Sequence, residues 1–136
     1  MERQGKGAGV QGRFTLRELV ERPMGTVECS GIITSDPSRV AEFSSLVSDY
    51  SARVRSRAAW TIGYAAAKGV DISAAVTALQ SGLDDRERDV SLACAYALSV
   101  HHLNGHPGSR PPLAGHGSEA VRIGANIAIS DSGREF

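Results

Sequence analysis

A segment that echoes itself restricts a fold more than any bulk property, because each copy must satisfy the same packing rules. Displacing this sequence by 36 residues sets Val40 on Val76, Phe43 on Leu79, Val47 on Leu83, Asp49 on Asp85 and Val54 on Val90. Ala58 then meets Cys94, Ala59 meets Ala95, Trp60 meets Tyr96 and Ile62 meets Leu98. A third, partial copy follows at a spacing of 31, where Val121, Arg122, Ala125, Ile127 and Ile129 match Val54, Arg55, Ala58, Trp60 and Ile62.

Each copy reads as a helical hairpin. Asp36 suits a helix N-cap, and Pro37 suits the first helical position, where its missing donor is harmless. Val40, Phe43 and Val47 make one apolar stripe, and Val54, Ala58, Ile62 and Ala65 make a second. Asp49 is expected to cap the second helix of the first unit and Asp85 that of the next. Asp71 or Ser73 is expected to cap the helix between them. One hairpin cannot bury its apolar face alone, so the units must stack. The expected fold is therefore all-α: a short, right-handed α-solenoid of stacked antiparallel helix hairpins, with about two full repeats and a partial third. Its domain spans 36–130, in units 36–70, 71–103 and 113–130. Residues 107–115 are rich in proline and glycine, so the third unit lacks a first helix. Residues 1–13 read as a disordered lead, 14–35 as an N-terminal cap segment and 131–136 as a frayed tail. Within the cap segment, 14–21 suits two helical turns, whereas 26–35 is ambiguous between a strand and a turn.

Along the second helices, Asp49, Val54, Arg55, Ala58, Ala59 and Ile62 form a pattern that resembles HEAT-type repeats, in particular bacterial HEAT-like repeats such as those of phycobilisome lyases. Asp85, Val90, Cys94, Ala95 and Leu98 repeat it, with Ser91 in place of the arginine and, in the third copy, His116 in place of the aspartate. The resemblance implies an aspartate–arginine ladder between units, broken where Ser91 and His116 stand. It also implies a concave surface lined by second helices.

Function is less constrained. Fifteen basic residues balance fifteen acidic ones, which argues against nucleic-acid and membrane-surface binding. No apolar run reaches the roughly 18 residues of a membrane span. Two cysteines, Cys29 and Cys94, make no disulfide framework, so a cytoplasmic home is expected. Cys94 reads as a buried structural thiol, and Cys29 sits in the ambiguous segment as a candidate exposed one. Gly7, Gly9 and Gly12 spell a dinucleotide-like motif without the strand it needs. His101, His102, His106 and His116 match no strong metal motif and read as a solvated helix end; no metal or cofactor is expected.

With the core stripe of the second helices fixed, the opposite face carries Arg53, Arg57, Trp60 and Tyr64, then Leu92 and Tyr96, then Ile127. Trp60, Tyr96 and Ile127 occupy equivalent positions and are expected to line up as an exposed ridge. Aromatics and arginine anchor interfaces. The favoured function is thus a non-catalytic scaffold gripping another protein through this ridge, with a homodimer as a further option. The alternative is an enzyme subunit of the chromophore (bilin) lyase kind, using the hairpins as a cradle.

Overall fold

A computed structural model describes residues 14–106 and 113–132. The expected lead (1–13), the tail beyond residue 132 and the Gly7–Gly12 motif lie outside the described residues. Seven α-helices and no strand occur among the described residues: α1 (Leu16–Glu21), α2 (Gly25–Ser35), α3 (Val40–Leu46), α4 (Ala52–Ala67), α5 (Val76–Gly82), α6 (Arg88–Leu103) and α7 (Glu119–Ser132). Among these residues, no helix is long and apolar enough to cross a membrane.

The echo in the sequence is an echo of elements. A 3-10 turn at Pro37–Arg39 leads into α3 and then α4; another at Ser73–Ala75 leads into α5 and α6. A shift of 36 carries every boundary of the first set onto the second. A shift of 31 carries the start of α6 onto the start of α7, which is preceded only by a 3-10 turn at Leu113–Gly115. Helix α3 packs on α4, and α5 on α6; α2, α4, α6 and α7 each pack on the next. The expected stripes are the core: Val40, Phe43, Val47, Val54, Ala58, Ile62 and Ala65 are all buried.

Helix α1 begins with a reciprocal capping box. Thr15 accepts from the Glu18 N–H, and Glu18 accepts from the Thr15 N–H. The ambiguous segment 26–35 proves helical. Its β-branched residues disfavour a helix locally, but Cys29 and Ile33, one turn apart, are both buried where α2 packs on α4, and packing overrides propensity. Cys29 is accordingly buried, not exposed. Burial pushes its thiol up to about 11 and that of Cys94 to about 12, so neither is an activated nucleophile.

The aspartates act two residues before the cap. Asp49 accepts from the N–H of Ser51, Asp85 from that of Glu87, and His116 Nδ1 from that of Ser118. Ser51, not Asp49, is the N-cap of α4. Two of these turns are tied by arginine. Arg17 pairs with Asp49 at 3.1 Å, and Arg55 pairs with Asp85 at 2.8 Å while also donating to the Asp49 carbonyl. Ser91 occupies the next arginine position. The turn it would have served holds an imidazole acceptor, His116, in place of a carboxylate.

Helices α4 and α6 end in the same Schellman motif. Gly69 and Gly105 adopt φ of +97° and +83°, conformations that favour glycine. At α4, Gly69 N–H donates to Ala66 and Val70 N–H to Ala65; at α6, Gly105 N–H donates to His102 and His106 N–H to His101. The motif folds Val70 back towards Ala65 and His106 back onto His101. The expected solvated histidine end is therefore corrected: His101 is fully buried.

Candidate functional site

The face of α4 opposite its core stripe carries Arg53, Arg57, Trp60, Tyr64 and Ala67 at alternating spacings of four and three, the repeat of one helix face. Trp60 and Tyr64 are half-buried, with ring centroids 5.7 Å apart. Tyr96 joins them from α6, 4.8 Å from Trp60 and 6.1 Å from Tyr64. The three rings form one cluster in tilted and edge-on geometry, as aromatic quadrupoles favour.

Tyr96 departs from expectation. It is only 2% exposed and forms the buried underside of the cluster rather than part of an open ridge. Two glycines make this burial feasible. A Cβ on Gly63 would fall 2.6 Å from the Tyr96 ring, so the ring occupies space that only glycine leaves. A Cβ on Gly124 would fall 2.1 Å from the Leu92 carbonyl, so α7 lies unusually close against α6. Burial pushes the Tyr96 hydroxyl up to about 12, reinforced by the charge and hydrogen bond of Asp131 on α7.

Arg57 is also committed internally. Its Nε donates to the Val20 carbonyl and its Nη2 to the Arg22 carbonyl at 2.8 Å, which ties the end of α1 to α4. These bonds fix the position of Arg57 on the face where a polar contact is expected, beside Arg53 and Trp60. Arg53 is exposed, with a loose 3.9 Å pairing to Glu21. Leu92 and Ile127 are half-buried, and Ile127 packs against the core.

Two hollows flank the half-exposed rings. One, of about 430 Å³, lies between the N-terminal halves of α4 and α6; Arg53, Ser56 and Trp60 line one side, and Glu87 and Asp89 the other. The second, of about 260 Å³, is lined by Val27, Tyr64, Ala67 and Lys68. Val27 is 48% exposed, and the ambiguity of 26–35 between a strand and a turn leaves it without an expected face in the sequence. Its signal was present: Val27 stands two residues before Cys29 and six before Ile33, on the far side of their shared stripe. The face thus offers an apolar centre with charges of both signs on one flank.

No family model matches this chain, and no curated protein or solved structure matches it either.

Proposed function

We propose that this chain is a non-catalytic, HEAT-like scaffold in which two full hairpins and a partial third stack as a short α-solenoid, and that it binds a segment of another protein along the exposed face of α4. The reading is supported by the element boundaries that recur under one 36-residue shift. It rests above all on the Trp60–Tyr64 pair, half-exposed between two hollows and braced from below by a buried tyrosine. Rigid aromatics with a polar rim are typical anchors of protein interfaces. The partner segment would place an apolar side chain on Trp60, with a basic group towards Glu87 and Asp89 and an acidic one towards Arg53. Two free, buried cysteines suit a reducing, cytoplasmic setting.

The test is affinity capture with the wild-type chain and with Trp60→Ala/Tyr64→Ala, after matched melting curves. The variant should lose partners that the wild type holds. Identical capture by both proteins would overturn the reading. So would a wild-type dimer that the variant abolishes, because the face would then belong to a second copy.

A further inference from the structure

The end of α6 places a buried imidazole in an environment that leaves it unsatisfied. Neither ring nitrogen of the fully buried His101 has a hydrogen-bond partner among the described residues. Buried polar atoms in folded proteins are nearly always paired. The Schellman turn lays His106 over this ring, with centroids 4.5 Å apart and planes within 6°. Asp71, from the linker after α4, brings its Oδ1 to 4.0 Å from His106 Nδ1. Ligand atoms of Asp71, His101 and His106 all lie within 4.8 Å of one another.

We propose that Asp71, His101 and His106 form a binding site for a divalent transition-metal ion of the zinc type. Two imidazoles and a carboxylate suit zinc and its first-row neighbours, whereas calcium and magnesium favour all-oxygen sets. A tetrahedral ion about 2.1 Å from each donor needs donors about 3.4 Å apart and lies in the plane of each imidazole it binds, so the trio must draw in by about an ångström and the His106 ring must tilt out of its parallel stack on His101. Its geometry permits that. His101 is the fixed member, His106 hangs beyond the Gly105 turn, and Asp71 is exposed. Burial, with the neighbouring His106, holds the His101 imidazole below its ordinary pKa and so in the neutral form that ligates metals. Ser73 steadies the carboxylate, donating to Asp71 Oδ1 from both its N–H and its hydroxyl. Such outer support is typical of metal-binding carboxylates. Three protein ligands leave a fourth position for water.

The first half of the molecule is an internal control. It closes the same motif with Ala65 and Val70 at the positions of His101 and His106, so the backbone does not require imidazoles there.

The experiment titrates the untagged, chelator-stripped full chain with Co²⁺ and then Zn²⁺, following the cobalt visible spectrum and the melting temperature. One equivalent of Co²⁺ should give the intense bands of a low-coordinate site; Zn²⁺ should displace it, and both should raise the melting temperature. His101→Ala/His106→Val, which installs the residues of the first half, should keep the helical circular dichroism and lose both responses. Asp71→Asn, a change at an exposed position, should also lose the bands. Ser73→Ala should keep the stoichiometry but bind about tenfold more weakly, and His102→Ala should bind as the wild type does. A wild type that shows no saturation at one equivalent would overturn the proposal. Undiminished binding by either ligand variant would do the same.

Discussion

Helices α4 and α6 end in the same backbone geometry closed by different chemistry. At α4 a glycine turn folds Val70 towards Ala65; at α6 the equivalent turn folds His106 onto His101. The α4 end satisfies the motif with small apolar groups alone. Among the described residues, the α6 end buries two nitrogens without partners, which costs about 1–3 kcal/mol apiece in the absence of a ligand. A feature that one half dispenses with is not required by the backbone geometry that the two halves share. Comparing equivalent positions therefore separates what the architecture needs from what has been added to it.

The same comparison can be pressed by substitution. The largest effect is expected from Gly63→Ser, which gives α4 the residue that α6 carries at position 99. It intrudes on the Tyr96 ring and should cost about 3 kcal/mol in urea denaturation, with altered Trp60 emission. A loss below about 1 kcal/mol would refute the tight seating of that ring. Next comes Arg55→Ser, which strands the half-buried Asp85 carboxylate and should cost about 2 kcal/mol. Adding Asp85→His recreates the Ser91–His116 pairing of the following turn and should recover about half of that loss. If the double variant is no better than the single one, the serine–histidine combination is not an equivalent solution. In chelator, His101→Ala/His106→Val should raise the unfolding free energy read from urea denaturation, by about 1 kcal/mol once the new cavity is set against the lost orphan atoms.

The smallest effect is in acid. Burial alone would raise the Asp85 carboxyl, but Arg55 and the Glu87 N–H outweigh it and hold the group below its ordinary value of 3.8. Its contribution is therefore fully present above that value and fades as pH falls through the lower folded-state value. Asp85→Asn should flatten this acid limb of the stability profile and leave its shape at neutral pH unaltered.

Much of the architecture was legible because it depends on periodic burial. Val40, Phe43, Val54 and Ile62 declare their faces by spacing alone. Helix α2 was not, because Val27, Ile32 and Ile33 favour a strand locally and only contact with α4 decides otherwise. The burial of Tyr96 was missed for a related reason: a helical wheel gives the direction of a side chain but not how near the next helix comes. Gly63 and Gly124 carried that information as places where a side chain is missing. Arg57 pointed as expected, but towards carbonyls of α1 that the sequence had not placed. The histidine pair was readable in principle, since Gly69 and Gly105 coincide under the 36-residue shift and bring Val70 onto His106.

The turn at His116 has one further consequence. The junctions made by Arg17 with Asp49 and by Arg55 with Asp85 pair opposite charges and weaken as ionic strength rises, whereas the turn leading into α7 is closed by a hydrogen bond from the Ser118 N–H to His116 Nδ1. Brine should therefore loosen the amino-terminal junctions more than the seating of the last helix, where the Arg88–Glu119 pair is more exposed, giving the molecule a grain that its matching helix boundaries would otherwise conceal.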